Sequence, residues 1–231
     1  MIFTTNGLKT YFWDDQTGPQ REGYCVFNQD DLQKLMNRRQ ARKDLLTVSI
    51  DDKITDRYYQ KEAIRAVCEQ IGQGFRKHLL VMATGTGKTR TAASLADVLS
   101  RGEHATNILF LADRTALVKQ AKDGFKNYLP DMSLCNLCTN KDDRNARIVF
   151  STYPTILNAI QNPKGSQPLF TPAHFDLIII DESHRSIFKK YREIFVYFDA
   201  ILVGLTATPK TDVDRNTYCL LYTSPSPRDT R

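Results

Sequence analysis

The sequence has few cysteines and no long apolar run, and each shortage excludes a class of protein. Its five cysteines are odd in number and scattered over 231 residues, unlike the paired cysteines of a secreted disulfide framework. Apolar runs such as 177–180 are far shorter than the roughly 20 residues that a membrane-spanning helix needs. The first residues also lack the basic and apolar stretches of a signal peptide. We therefore expect a cytoplasmic protein without a membrane partner.

The excess of charge is small and positive. The formal net charge is +6 and the isoelectric point is near 9.0. Such a balance is compatible with a polyanionic partner such as nucleic acid, although many proteins of this charge bind none. The hydrophobic content of 41% is ordinary for a globular chain, and 231 residues suit one α/β domain with extra segments.

The chain begins with a predicted β-hairpin and a predicted basic helix. Residues 1–14 contain two β-prone stretches around an Asn6-Gly7 turn signal. Residues 30–43 have helical spacing and one basic face, which is either a DNA contact or a solvated surface. At the other end, 219–231 is polar and proline-rich, so we expect disorder. This tail also resembles translated sequencing-adapter read-through, and a non-native origin stays open.

From about residue 56, short apolar strands alternate with amphipathic helices. This alternation predicts an α/β fold, a mainly parallel sheet covered by helices on both faces and preceded by the hairpin and a helical linker. Ligands of such sheets bind at the carboxyl ends of the strands. The predicted strands are 79–82, 108–112, 148–151, 177–180 and 201–205, and the predicted helices are 60–70, 89–99 and 115–128.

A candidate phosphate-binding loop reads ATGTGKT over residues 83–89, between a predicted strand and a predicted helix. Its glycines allow backbone N–H groups to converge on one anion at the positive end of the helix. Lys88 would reach the β- and γ-phosphates of ATP, and the Thr89 hydroxyl would bind Mg²⁺. Met82 stands where such loops usually begin with glycine. The alternative is a chance Gly/Thr-rich turn. The candidate nucleotide-binding residues here are Thr84, Gly85, Thr86, Gly87, Lys88 and Thr89.

Two carboxylates follow the strand at 177–180. Burying Asp181 and Glu182 at a strand end is costly unless a cation or hydrogen bonds compensate. A Mg–ATP complex would compensate, with Asp181 holding the metal and Glu182 orienting and deprotonating the attacking water. His184 belongs to the same candidate catalytic group as Lys88. The alternative is an acidic cap on a following helix.

A threonine pair follows the strand at 201–205. The hydroxyls of Thr206 and Thr208 could bond the region of Asp181 and His184 and relay the nucleotide state to another site. Taken alone, a threonine-rich turn before proline is common.

Together these three motifs resemble those of superfamily 2 helicases and translocases, over roughly residues 56–215. The resemblance implies the first of two RecA-like domains, with Gln60 as the residue that reads adenine, although Gln60 alone is an ordinary helix residue. It also implies that Arg114, Ser151 and Thr152 contact the phosphate backbone of one nucleic-acid strand, and their donors suit that role.

The stretches 176–185 and 197–209 most resemble the motor subunits of type I restriction enzymes. Residues 5–14 are similar to the last hairpin of the nuclease domain that precedes the motor in that family. The resemblance implies ATP and Mg²⁺ as cofactors, double-stranded DNA as substrate, and a complex with modification (methyltransferase) and specificity subunits of a prokaryote. It implies four segments: 1–14 from a nuclease-type domain, a 15–55 linker with a basic helix, a 56–218 RecA-like domain and the 219–231 tail.

On this interpretation the chain lacks nuclease residues and the second motor domain, which supplies arginine fingers. We then expect weak Mg–ATP binding, very slow hydrolysis, and no translocation or cleavage by the chain alone. Two alternatives remain at this stage: another superfamily 2 enzyme of DNA repair or RNA unwinding, and a P-loop protein that binds nucleotide without being a motor.

Overall fold

The computed structural model describes residues 1–14, 19–140, 145–161, 168–181 and 190–207. The threonine at 208 and the 219–231 tail therefore lie outside the described residues. Within the described ranges, no helix has the length and apolar character needed to cross a membrane.

A small antiparallel sheet and one helix form the amino-terminal part. The sheet has the order β1-β2-β3, and Phe12 and Phe27 pack together beneath it. The predicted hairpin is confirmed. The third strand of this sheet was not predicted, because its three mostly polar residues carry no strand signal. The elements are β1 (Ile2–Thr5), β2 (Thr10–Trp13), β3 (Arg21–Gly23) and α1 (Gln29–Ala41).

Among the described residues, six parallel strands form the main sheet, in the order β4-β9-β8-β5-β7-β6. The predicted α/β fold is thereby confirmed. The elements are α2 (Tyr58–Gly72), β4 (Lys77–Val81), α3 (Lys88–Arg101), β5 (Ile108–Ala112), α4 (Thr115–Tyr128), β6 (Leu134–Asn136), β7 (Ile148–Thr152), α5 (Tyr153–Gln161), β8 (Leu177–Ile180), α6 (Arg192–Tyr197) and β9 (Ile201–Thr206).

Helices cover both faces of this sheet, and a core fills each side. The four central strands, β9, β8, β5 and β7, are buried along their whole lengths, as expected for parallel strands covered on both faces. One core contains side chains from α2, α3 and α4, and the other contains side chains from α5 and α6. The strands run in register, so their carboxyl ends meet at one edge, called here the carboxyl edge.

The basic face of α1 lies against the main sheet. Arg38 forms an ion pair with Asp176, which directly precedes β8, and Arg39 pairs with Asp14 at 2.8 Å. The interpretation of this face as a solvated surface is therefore wrong for Arg38 and Arg39. Arg38 joins the amino-terminal part to the amino end of a main-sheet strand, whereas Arg39 joins α1 to the end of β2 within the amino-terminal part.

One buried histidine on β4 makes stability depend on pH. His78 is 1% exposed, and its Nδ1 lies 3.0 Å from Gln70 Oε1. Burial lowers the pKa of His78 from its ordinary 6.5 to about 4. The unfolded chain therefore binds the proton more readily than the folded chain between these values. We expect the free energy of unfolding to fall as the pH drops from 6.5 toward 4, by roughly 3 kcal/mol from this group.

Urea unfolding at several pH values measures this loss, and the His78→Asn variant is the control because asparagine cannot take up the proton. Carboxylates titrate in both proteins, so only the difference between the two curves reports His78. Parallel curves between pH 6.5 and 4 would show that the histidine does not contribute.

Candidate nucleotide-binding site

The predicted phosphate-binding loop joins β4 to α3 at the carboxyl edge. Gly85 and Gly87 have φ values of +79° and +89°, which favour glycine because other side chains are strained there. The loop is closed by Thr86, whose hydroxyl donates to the Ala83 carbonyl at 2.6 Å. Helix α3 starts at Lys88 with Gly87 as its N-cap residue. The amino end of a well-buried helix therefore faces the loop, which suits an anion.

The loop begins with Met82, where related loops usually begin with glycine, and the structure explains why methionine is accepted. Met82 N donates to Thr206 O at 2.8 Å, so this residue continues the ladder between β4 and β9. Its side chain is buried in the core. The sharp turns come later in the loop, at Gly85 and Gly87.

Gln60 of α2 is hydrogen-bonded to the loop. Its Nε2 donates to Thr86 O at 2.8 Å, and its Oε1 accepts from the Thr55 hydroxyl. Tyr59 donates to the same Thr86 carbonyl at 3.0 Å. A Cβ at position 87 would lie 2.5 Å from Gln60 Nε2, so a larger residue there would displace the Gln60 amide from the loop. The predicted adenine contact of Gln60 stays a prediction, and in this structure both ends of its amide bond the protein.

Asp181 lies two strands away from the loop at the same edge. Its backbone N donates to Leu111 O at 2.9 Å, which extends the pairing of β8 with β5 by one residue and fixes the position of Asp181. The order β4-β9-β8 places Thr206 between the loop and Asp181. Neighbouring strands are about 4.8 Å apart, so the loop and Asp181 are separated by roughly 10 Å at the level of the backbone. A phosphate group with a bound cation fits such a span.

A buried tyrosine lies near Asp181 and was not among the residues predicted for the site. Tyr153 begins α5, is fully buried, and stacks on Tyr191 with ring centroids 5.1 Å apart. Burial raises the pKa of Tyr153 strongly, and the charge of Asp181 adds to the rise. The phenol therefore stays neutral beside the carboxylate. No helix was predicted after the strand 148–151, so the place of Tyr153 at a helix start was missed.

The three residues predicted to contact nucleic acid differ in exposure. The Arg114 side chain is 81% exposed, at the start of α4. Ser151 and Thr152 are buried at the end of β7, and their hydroxyls are engaged with Thr152 O and with Thr155 Oγ1. Arg114 can thus reach a ligand directly, whereas contacts by the two hydroxyls stay predictions.

Three predicted residues, Glu182, His184 and Thr208, lie outside the described residues. The described part of the site contains the loop residues, Gln60, Asp181 and Thr206, all at the carboxyl edge. Lys88 and Thr89 are half-buried at the start of α3. Gly124 of α4 packs against Thr89, because a Cβ there would lie 3.2 Å from Thr89 Cγ2. An ammonium and a hydroxyl at a helix amino end, with a carboxylate two strands away at the same edge, are groups that can bind a magnesium–nucleotide complex.

Comparison with known proteins agrees with this geometry. The sequence profile of the ResIII family, described as "Type III restriction enzyme, res subunit", matches residues 53–211. The type I restriction enzyme EcoAI endonuclease subunit of Escherichia coli is 36% identical over 90% of this chain. That alignment spans 28% of the Escherichia coli protein, so the chain covers less than a third of this relative.

Two solved structures share the fold. A fragment of a putative HsdR subunit of a type I restriction enzyme from Vibrio vulnificus YJ016 is 29% identical, with a TM-score of 0.53 over 95% of this chain and 39% of that chain. The Sulfolobus solfataricus SWI2/SNF2 ATPase core has a TM-score of 0.57 over 71% of this chain and 35% of that chain, at 18% identity, and shows the fold alone. The profile match spans more than half of the chain and includes the phosphate loop, Asp181 and Thr206, so the chain belongs to the ResIII family of restriction-enzyme subunits, with type I endonuclease subunits among its relatives.

Proposed function

We propose that this chain binds Mg–ATP at its carboxyl edge and forms part of a motor that moves along double-stranded DNA within a type I restriction endonuclease. The observation that carries the proposal is the placement of the phosphate loop, Thr206 and Asp181 on three adjacent strands at one edge. Ligands of parallel α/β sheets bind at this edge. The relatives support the choice of a restriction enzyme.

The nucleotide would be held mainly by the loop. Backbone N–H groups of residues 84–89 would bind the phosphates, with the Lys88 ammonium on the β- and γ-phosphates. Thr89 and Asp181 would hold Mg²⁺, which offsets the charge that develops on the transferred phosphoryl group. Glu182 would orient and deprotonate the attacking water, with His184 beside it, and Gln60 would read adenine.

The position of Thr206 supports a role in passing on the nucleotide state. It is 3% exposed, and β9 pairs with β4 on one side and β8 on the other. A shift of the loop or of Asp181 would act on β9 from either side. We propose that Thr206 and Thr208 carry this shift toward the DNA-binding side of the motor.

The proposed substrate is double-stranded DNA, and the proposed setting is a cytoplasmic complex with modification and specificity subunits. The net charge of +6 favours a polyanion. The Sulfolobus solfataricus relative of the fold is itself described in complex with dsDNA. Among the residues predicted to contact DNA, Arg114 has the exposure that a phosphate contact requires.

The DNA contact is tested by replacing Arg114 with glutamine. We expect the affinity for a duplex to fall roughly 3- to 10-fold, and the slope of log affinity against log salt to fall by about 1, because one phosphate contact is lost. Fluorescence anisotropy of a labelled duplex measures both quantities. The matched control is Arg147→Gln, since Arg147 is also exposed but precedes β7 at the opposite edge.

Equal losses in the two variants would mean that the duplex responds only to total charge, and Arg114 would have no particular role. Failure of the unaltered chain to bind duplex at low salt would remove DNA as a ligand of this part of the motor.

A further inference from the structure

A cavity rich in arginine lies at the edge of the main sheet opposite the phosphate loop. Water-sized spheres can be centred in only about 20 Å³ of it, and the roughly 370 Å³ of empty space around it includes open solvent. Arg21, Arg38, Arg42 and Arg76 line it together with His104. Arg76 directly precedes β4, while β3 and α1 supply Arg21 and Arg38. The cavity therefore lies between the amino-terminal part and the amino ends of the parallel strands.

The carboxylates of this cavity already have partners. Asp199 accepts two hydrogen bonds from Arg21, at 2.7 and 2.6 Å, and one from Arg76 at 2.9 Å. Asp176 pairs with Arg38 and with Lys34, which is 3.2 Å away. The remaining contacts of Asp176 include the backbone N–H groups of Thr106 and Asn107, at 2.8 and 3.0 Å. Asp14 accepts from Arg39 at 2.8 Å.

Three of the arginines have buried side-chain donors without a hydrogen-bond partner among the described residues. Nη1 of Arg21, Nε of Arg38 and Nε of Arg42 are buried and have no hydrogen-bond partner among the described residues. Arg38 is only 9% exposed, so water outside the cavity does not reach most of its side chain. Leaving buried donors of charged groups without a hydrogen-bond partner costs free energy. These three donors therefore favour the binding of a hydrogen-bond acceptor in the cavity.

The charge balance points to an anion. Four arginines line the cavity against three aspartates, and each aspartate already bonds an arginine. Burial lowers the pKa of Arg42, and the neighbouring Arg38 lowers it further. Burial likewise lowers the pKa of Arg76 to about 10, against the opposing effect of Asp199. A positive excess in a partly desolvated space is stabilised by a bound anion.

We propose that this cavity binds a small tetrahedral oxyanion of the phosphate class. The planar guanidinium group presents N–H donors in a fork that matches the oxygens of such an ion. The oxygens on one centre can each accept from a different arginine, along the direction in which that arginine's N–H group points. The site is separate from the proposed ATP site, because it lies at the amino ends of the strands.

Thermal unfolding of the whole chain with inorganic phosphate as the probe tests the proposal, against chloride at equal ionic strength. The test is made in a Lys88→Ala background, which weakens the other candidate phosphate site. We expect phosphate at about ten times its dissociation constant to raise the midpoint by roughly 3 °C. Adding Arg42→Gln should abolish this shift. Because Nε of Arg42 has no hydrogen-bond partner among the described residues and the backbone bond of Arg42 to Arg38 O is kept, this change should leave the fold intact, which circular dichroism checks.

Arg147→Gln, in the same background, is the control for removal of a positive charge and should keep the shift. An equal shift in all variants would be the general stabilisation by phosphate as a cosolute, and it would overturn the proposal. A shift that Lys88→Ala abolishes in an otherwise unaltered chain would assign phosphate to the loop alone, with the same consequence. Neither result bears on Mg–ATP binding, so the proposed function is judged separately.

Discussion

Replacing Asp199 with alanine is expected to lower the free energy of unfolding by about 3 kcal/mol. The carboxylate is 15% exposed and holds the guanidinium groups of Arg21 and Arg76 between β3 and the amino ends of β4 and β9. Burial by itself raises the pKa of Asp199, but the charges of Arg76 and Arg21 outweigh it and bring the pKa to about 2. Without the carboxylate, two partly buried cations face each other unpaired, and this repulsion adds to the desolvation cost.

Chemical denaturation of the two proteins measures the loss. The matched control is Asp52→Ala, which breaks an ion pair of 2.6 Å with Lys61 in which the Asp52 side chain is 75% exposed. This control should change stability by less than about 1 kcal/mol, because water screens an exposed pair. If the two substitutions cost the same, the contacts of Asp199 do not hold the amino-terminal part to the main sheet.

Replacing Lys88 with alanine should weaken Mg–ATP binding about 100-fold. The reason lies in the local backbone: the left-handed conformation of Gly87 ends the loop and places Lys88 at the first position of α3. Lys88 is half-buried there, directly after the loop. A charged hydrogen bond to phosphate is worth about 1.5–3 kcal/mol, and removal of the ammonium forfeits it together with its longer-range attraction.

The elements that the sequence predicted correctly are those whose signals are local. Strands β5 and β8 were predicted with their observed bounds. Each is a short apolar run bounded by polar residues, which is typical of a parallel strand buried on both faces. Helix α4 was also predicted with its observed bounds, from apolar residues at helical spacing. The short edge strand β6 was missed, since three residues are too few to show a period.

The contacts that the sequence could not predict join distant parts of the chain. Arg38 on α1 and Asp176 before β8 are separated by most of the chain, and nothing local to either predicts their pairing. Gln60 illustrates the same limit inside the site. The family resemblance implied that Gln60 reads adenine. The hydrogen bonds of Gln60 to Thr86 and from Thr55 depend on how α2 packs against the loop. Folding creates these partners, and only the structure shows them.

Isothermal titration calorimetry of the whole chain measures whether the carboxyl edge around residues 83–89 binds Mg–ATP. The control variant is Lys9→Ala, because this lysine is exposed on the amino-terminal sheet. We expect binding that depends on Mg²⁺, is unchanged by Lys9→Ala and falls about 100-fold in Lys88→Ala. Equal affinity in Lys88→Ala and the unaltered chain, or no binding by either, would contradict this expectation.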